Sequence, residues 1–411
     1  MTRDVRRRRF LATFGAGTVS LIAGCTGDGN PDDDGTTAED GSPTTTTEED
    51  DAPGSDGLLY AFAPDRAVAI DPEAGEVVED LTDELDPGLA DADWGDARLA
   101  GNGRMFLVEA SENRLGAVDL GRRDLLAWID IGQGATHAFH PVEGEVWVHA
   151  DDEGRFYVVD TEALEVTQVV QSGLEDAGHG KLLTHEDLRP KAFATNTNDS
   201  FGHVIDMERY ERVDSLDVGE EGGTHYAMYA PESGLVYFER SGGDDMPYFD
   251  AETHEAVGRL DLNGGLSITP DREKLGIWTE DAVHFVDATG RDGEVLGSVD
   301  LEGRGPDDLS YFEEGGTLYA YTANTTSDEV SVVDVDEYTV ETHVRAGAIS
   351  QEGRFLHRSG ALGGGYYFPT SGADGTVPVI DAAGRELLHE VDVGEGVDTI
   401  RYVGDATGAW Y

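Results

Sequence analysis

The chain consists largely of short apolar stretches, and eight of them end in an aspartate. These stretches end at Asp71, Asp119, Asp160, Asp206, Asp250, Asp287, Asp334 and Asp381. Their spacing averages about 44 residues, which matches the length of a four-stranded propeller blade. A turn and another β-type stretch follow each aspartate, as in 125–131, and a further one precedes it, as in 145–150. The pattern therefore predicts repeated antiparallel blades and very little helix.

The two ends of the repeat region complement each other. If the strands of a blade are named a to d from the axis outward, the aspartates close strand c. The first copy, 58–81, supplies strands b, c and d, whereas residues 398–403 form a lone a-type strand at the end of the chain. Pairing that strand with the first blade would close the ring and remove an exposed edge. We therefore predict an all-β, eight-bladed β-propeller. Seven blades is the alternative if the opening unit or the compact unit ending at Asp287 is not a blade.

Two copies carry a more specific pattern. Residues 321–334 read YTANTTSDEVSVVD and residues 194–206 read ATNTNDSFGHVID. Both resemble the YVTN-type propeller repeat of secreted YncE-like proteins, and in architecture the resemblance covers 57–411. It implies a fold and an extracytoplasmic setting, and it implies no reaction.

The N-terminus is predicted to be an export signal. Arg7, Arg8, Phe10 and Leu11 have the register of a twin-arginine signal, and the apolar run after them is too short to span a bilayer. The run ends in Leu-Ile-Ala-Gly-Cys, which resembles a lipobox that is lipidated on Cys25. The domains predicted are thus a signal peptide, 1–25, a disordered acidic stalk, 26–56, and the propeller, 57–411. We expect the protein to lie outside the cell, anchored to the membrane by lipidated Cys25 alone.

The net charge of the chain indicates the kind of solution in which the protein works. It has 85 acidic and 28 basic residues, for a formal net charge of −57, and only three lysines. Such a surface would repel nucleic acid and anionic lipid, so neither is expected as a partner. Acidity spread along the whole chain is typical of halophilic proteins, here an archaeal one, because concentrated salt screens the self-repulsion.

Motifs of known enzymes are missing from the sequence. A single cysteine excludes a disulfide framework, a cysteine-rich metal site and a C-x-x-C-H haem attachment. No sialidase box, G-x-S-x-G elbow or Walker loop occurs.

Three histidines recur at one position in consecutive blades. His137, His179 and His225 each follow a glycine-containing turn where the innermost strand begins, at the mouth of the central channel. Three imidazoles with an open fourth position form a recognised zinc or copper site. Five further residues could form a second layer around it: His140, His185, Asp307, Asp308 and Asp398. The alternative is structural, with each histidine satisfying a carbonyl beside a turn.

These observations favour a binding module over an enzyme. The eight-blade count also resembles, in fold alone, the haem-d1 domain of cytochrome cd1 nitrite reductase, which implies a haem-dependent enzyme as one rival. Other rivals are a hydrolase that uses a metal-activated water, and a protein–protein scaffold. We expect a monomer whose partner is a protein or small ligand at the propeller face.

Overall fold

A computed structural model describes residues 57–86, 88–173, 177–220, 222–348, 358 and 360–404. The predicted export signal, Cys25 and the acidic stalk lie outside the described residues. Within the described part, no helix is long and apolar enough to span a membrane.

The described residues form 32 strands in eight four-stranded antiparallel sheets. In chain order, the first sixteen are β1 (Leu58–Ala63), β2 (Arg66–Asp71), β3 (Glu76–Asp80), β4 (Trp94–Leu99), β5 (Arg104–Glu109), β6 (Arg114–Asp119), β7 (Asp124–Asp130), β8 (Ala135–Val142), β9 (Glu145–Ala150), β10 (Arg155–Asp160), β11 (Glu165–Gln171), β12 (Leu182–Leu183), β13 (Lys191–Ala194), β14 (Phe201–Asp206), β15 (Glu211–Asp217) and β16 (Thr224–Ala230). The rest are β17 (Leu235–Arg240), β18 (Met246–Asp250), β19 (Ala256–Leu260), β20 (Gly265–Ile268), β21 (Lys274–Trp278), β22 (Ala282–Asp287), β23 (Val295–Asp300), β24 (Ser310–Glu314), β25 (Thr317–Ala323), β26 (Glu329–Asp334), β27 (Thr339–Arg345), β28 (Gly360–Gly363), β29 (Tyr366–Pro369), β30 (Thr376–Asp381), β31 (Glu386–Asp392) and β32 (Thr399–Val403). Helix is confined to α1 (Thr82–Leu85) and a 3-10 turn (Glu186–Leu188) within these ranges.

The predicted closure of the ring is confirmed. Strand β32 pairs antiparallel with β1, from Leu58 opposite Val403 to Phe62 opposite Thr399. Blade 1 therefore combines β32 with β1–β3, and each following blade takes the next four strands in order. The compact unit ending at Asp287 is a complete blade, β20–β23, so the count is eight and the seven-blade alternative is wrong.

The repeated aspartates close strand c in all eight blades because their side chains build the next turn. In blade 4, for example, Asp206 Oδ1 accepts hydrogen bonds from the backbone N–H groups of Glu208 and Arg209. An aspartate that bonds its own backbone two and three residues ahead ends a strand and starts a turn. The same contact recurs at Asp71, Asp160, Asp250 and Asp334.

The apolar core lies between the blades. Eight clusters of buried side chains are found among the described residues, one for each interface between neighbouring blades. The cluster between blades 8 and 1 joins Phe368 and Val377 to Leu59 and Ala61, so the closing interface is packed like the others. This arrangement fixes the positions of the innermost strands around the channel.

Candidate metal centre

The three histidines singled out in the sequence lie side by side where the inner strands of blades 3, 4 and 5 begin. His137 is on β8, His225 is on β16, and His179 lies in the loop just before β12. The ring centres of His137 and His179 are 4.7 Å apart, and those of His179 and His225 are 5.2 Å apart. Consecutive blades thus bring three imidazoles into one row.

Two glycines explain how the loop before β12 reaches this position. Gly178 has a φ of +149°, and a Cβ there would overlap the side-chain amide of Asn196. A Cβ at Gly180 would overlap the carbonyl oxygen of Thr195 and lie 2.9 Å from His149 Nε2. Any larger residue on either side of His179 would push the loop outward, and glycine is the residue that tolerates such close approach.

Each of the three rings binds a carboxylate through its Nδ1 atom. His137 Nδ1 lies 3.2 Å from Asp96 Oδ2, and His179 Nδ1 lies 2.7 Å from Asp151 Oδ2. His225 Nδ1 lies 3.0 Å from Glu239 Oε2. A carboxylate on one ring nitrogen is the usual outer partner of a metal-binding histidine, because it orients the ring and makes the other nitrogen more basic.

The protonation states of the first two pairs follow from their surroundings. Burial opposes ionisation of Asp96, but His137, Arg98 and Lys181 hold its pKa well below its usual range. Burial likewise opposes ionisation of Asp151, whereas hydrogen bonds from His149 and His179 hold its pKa far below normal. Burial lowers the pKa of His137 to about 4, against the opposite effect of Asp96. Both carboxylates are therefore ionised acceptors, and the hydrogen of each imidazole belongs on Nδ1.

The two remaining nitrogens of these rings face each other. His137 Nε2 and His179 Nε2 are 3.1 Å apart. When each ring carries its only hydrogen on Nδ1, each Nε2 has a lone pair, and two lone pairs at this distance repel each other unless a proton or a metal ion lies between them. Two imidazole nitrogens on one tetrahedral zinc ion are separated by about 3.3 Å, given zinc–nitrogen bonds of about 2.0–2.1 Å.

The third histidine is not yet in a coordinating position. Among the described residues, no group of three His, Cys, Asp or Glu side chains is already arranged to hold a metal ion. His137 and His179 have their Nε2 atoms at a suitable separation, and His225 is their neighbour with its ring tilted by 32° relative to His179. Three imidazoles fit zinc or copper in chemistry, and the described residues present two of the three nitrogens at a suitable separation.

A buried lysine lies next to the histidines. Lys181 Nζ is 3.8 Å from the centre of the Tyr226 ring. Burial lowers the pKa of Lys181 to about 8, while Asp96, Glu239 and Asp307 act to raise it. Burial raises the pKa of Glu239 to about 7, although Lys181 lowers it. Lys181 is therefore a buried cation on which the charges of Asp96, Glu239 and Asp307 act.

Two of the second-layer residues expected from the sequence have their polar contacts elsewhere. His140 Nδ1 lies 2.8 Å from the carbonyl oxygen of Glu145. His185 is not on an inner strand; it caps the 3-10 turn, where its Nδ1 accepts the backbone N–H of Asp187. The carboxylates on the three histidines are instead those of Asp96, Asp151 and Glu239.

The three aspartates expected in the second layer lie in three different surroundings. Asp307 is buried and acts on Lys181, while its Oδ2 accepts the backbone N–H of Arg358. Asp308 lies beside Tyr367, whose hydroxyl donates to it at 3.5 Å. Asp398 lies beside Asp93, whose pKa is raised by burial and by the charge of Asp398.

Sequence reasoning assigned no role to Asp151, Glu239 or His149. Asp151 also accepts His149 Nδ1 at 2.7 Å, and His149 Nε2 contacts Ser172 Oγ at 2.8 Å, so this carboxylate bridges two rings. The sequence does contain a feature that could have pointed to Asp151 and Glu239. Strand b runs antiparallel to strand a, so its end lies beside the start of strand a, and Asp151 and Glu239 both occur at the end of strand b.

Comparisons with known proteins support the fold alone. No protein-family model matches the chain, and no curated protein matches it. The structure of the dihydro-haem d1 dehydrogenase NirN in complex with DHE is similar with a TM-score of 0.66 at 12% identity, covering 86% of this chain and 77% of NirN. AztD from Citrobacter koseri has a TM-score of 0.61 at 13% identity, covering 84% of this chain and 96% of AztD. The computationally designed protein Ika8 has a TM-score of 0.60 at 14% identity, covering 78% and 96%.

These similarities agree with the class of protein that the strands define, an eight-bladed β-propeller. One of the similar propellers is a complex of a haem d1 dehydrogenase and one is a designed protein, so the shared architecture leaves the activity open.

Proposed function

We propose that this propeller is a binding module for one transition-metal ion, zinc or copper, held by His137, His179 and His225. The observation that carries the proposal is the pair of Nε2 atoms 3.1 Å apart, on rings whose Nδ1 atoms bind the ionised carboxylates of Asp96 and Asp151. Neutral imidazole is a strong ligand for both metals. His225 supplies the third nitrogen after its ring rotates, which moves Nδ1 out of its present contact with Glu239.

The test is a zinc titration of protein purified without a histidine tag, with a chromophoric chelator as competitor. Wild-type protein should bind one zinc ion per chain. His179→Ala should weaken binding at least a hundredfold, because it removes one of the two opposed nitrogens. His254→Ala is the matched control, since His254 lies in a turn between strands c and d and contacts Asp214 and Lys191. Equal zinc binding by the two variants would leave these histidines with a structural role.

A metal-dependent hydrolase is the second candidate, and Glu239 is the residue that favours it. A carboxyl with a pKa near neutrality suits a general acid or base, and that of Glu239 is raised to about 7 by burial. Zinc-loaded protein assayed with activated esters and phosphodiesters distinguishes the two functions. Turnover that both His179→Ala and Glu239→Gln abolish would favour the hydrolase, whereas a rate no higher than that of free zinc would favour the binding module.

We further propose that the propeller is held outside the cell by lipid on Cys25, after twin-arginine export, in a halophilic organism. The sequence pattern from Arg7 to Cys25 and the net charge of −57 support this setting. Cys25→Ser should release the protein from membranes into the medium. Retention of the variant in the membrane fraction would contradict the lipid anchor.

A further inference from the structure

Arg401, on β32, has a charge that no side chain of the described residues pairs directly. Its Nε donates to the carbonyl oxygen of Ala97 at 2.7 Å, and within the described part of the chain Nη1 and Nη2 make no hydrogen bond or ion pair. Most other arginines there pair with a carboxylate, as Arg66 does with Asp80. A half-buried charge without such a partner is costly, and it is unexpected in a chain with 85 acidic residues.

The guanidinium of Arg401 lies on the wall of the central channel. Strand β32 is the innermost strand of blade 1, and the contact with Ala97 crosses to β4, the innermost strand of blade 2. The next residue, Tyr402, points the other way, because its ring stacks on Phe368 of blade 8 with 5.9 Å between ring centres. Arg401 is only half-buried, so the nitrogens that Ala97 does not hold are open to the channel.

A second arginine makes the same contact one blade further on. Arg98 follows Ala97 in β4, and its Nε donates to the carbonyl oxygen of Ala138 at 2.9 Å. Its Nη2 lies 3.8 Å from Asp96 Oδ2, so a carboxylate partly balances its charge. The Arg401 guanidinium therefore lies against the peptide group that leads into Arg98, and two cations from neighbouring inner strands lie next to each other.

A glycine permits this close arrangement of inner strands. Thr399 Oγ1, on β32, donates to the carbonyl oxygen of Gly95 at 2.9 Å. On its other side, a Cβ at Gly95 would lie 2.3 Å from the carbonyl oxygen of Thr136 on β8. The inner strands of blades 1, 2 and 3 are thus packed closely where the arginines reach across, and a larger residue at Gly95 would force them apart.

We propose that Arg401 binds a small oxyanion, a carboxylate, phosphate or sulfate, on the wall of the channel, with Arg98 adding positive charge beside it. The planar guanidinium presents paired N–H donors that match two oxygens of such an anion. Burial and the charge of Arg98 lower the pKa of Arg401 to about 9, so it remains a cation at neutral pH. The net charge of −57 opposes anions only at long range, and in molar salt screening limits this repulsion to about 3 Å.

Sulfate is the first probe, titrated calorimetrically into metal-free protein in potassium chloride at constant ionic strength. The wild type should bind one sulfate per chain. Arg401→Gln should weaken binding by about tenfold or more, because it removes the charge and the paired donors, and Arg401→Lys, which keeps only the charge, should lie between the two. Arg345→Gln is the matched control, since Arg345 is exposed on the outermost strand of blade 7, and it should change binding by less than about twofold.

The chemical source of the oxyanion follows from parallel titrations with acetate and phosphate. Tighter binding of acetate would identify a carboxylate ligand, and tighter binding of phosphate would identify a phosphorylated or inorganic one. If none of the three anions binds the wild type above the chloride background, the inference is wrong. Equal sulfate binding by the wild type and folded Arg401→Gln would also overturn it.

A selenate-soaked crystal of the wild type keeps the test decisive if Arg401→Gln does not fold. Selenate has the shape of sulfate, and its anomalous scattering locates it. One peak should place selenate oxygens about 2.7–2.9 Å from Nη1 and Nη2 of Arg401, and the absence of a peak there would refute the site. The inference goes beyond the proposed metal site, and because the protein is free of zinc in these experiments, the two proposals can fail separately.

Discussion

Asp151 offers the sharpest test of how the histidines are oriented. Its Oδ1 and Oδ2 each lie 2.7 Å from an Nδ1 atom, of His149 and His179 respectively. Asp151→Asn leaves only one oxygen, so only one of the two rings keeps an acceptor for its N–H. If the amide nitrogen faces His179, that ring must carry its hydrogen on Nε2, where it blocks the metal.

The expected loss of zinc affinity in Asp151→Asn follows from the removal of the charged carboxylate that the histidine rings bind. Changing such a partner typically costs 10- to 100-fold in metal affinity, which corresponds to about 1.4–2.7 kcal/mol. The fold should persist, because the backbone of Asp151 still bonds Gly134 and Gly178, and His149 still contacts Ser172. The assay is zinc titration against a chromophoric chelator, with thermal unfolding as the check on folding.

Asp152→Asn is the matched control for Asp151→Asn. Asp152 is the next residue, it is exposed, and its substitution removes the same charge from the same loop. Its zinc affinity should stay within about twofold of the wild type, since exposed charges are screened by salt. An equal loss of zinc affinity in both variants would show a general effect of charge. Unchanged zinc affinity in Asp151→Asn would refute the role of Asp151 in orienting the His179 ring.

Three further predictions concern stability. Asp250→Ala should lower the free energy of unfolding by about 1–2 kcal/mol at pH 7. Hydrogen bonds from the Thr253 backbone and from the Arg291 side chain lower the pKa of Asp250 to about 2. In denaturant titrations the difference should therefore be complete above the unfolded-state value near 3.8 and disappear as the pH falls through about 2. Deleting 398–411 should unpair the fully buried strand β1 and give aggregates in sedimentation experiments, so a monomer with the wild-type melting temperature would contradict the role of the closing strand. Diluting KCl from molar to tens of millimolar should lower the melting temperature, and an unchanged value would show that the net charge of −57 is no adaptation to salt.

The fold could be predicted because its signal is local and repeated. Each blade closes strand c with an aspartate that bonds the turn after it, so the same residue type recurs for the same physical reason. The closure by β32 followed from a missing strand in the first blade and a lone strand at the end of the chain.

The sequence predicted the histidines of the site but not the side chains around them. The row of histidines could be found because inner strands begin at the same level in neighbouring blades. The carboxylates that orient the rings carry a weaker signal, because a place at the end of strand b does not decide whether the side chain turns toward the histidines. The contact of the Lys181 ammonium with the Tyr226 ring joins blades 4 and 5, and a contact between neighbouring blades leaves no local pattern.

A crystal structure of the zinc-soaked protein, with data collected at the zinc absorption edge, would locate the metal ion directly. One strong anomalous peak should lie between His137 and His179, with both Nε2 atoms about 2.0–2.1 Å from the metal and His225 rotated to supply the third nitrogen. Histidine rings that keep their 3.1 Å contact without an anomalous peak between them, or a peak only at the outer turn of His254, would contradict the proposed metal site.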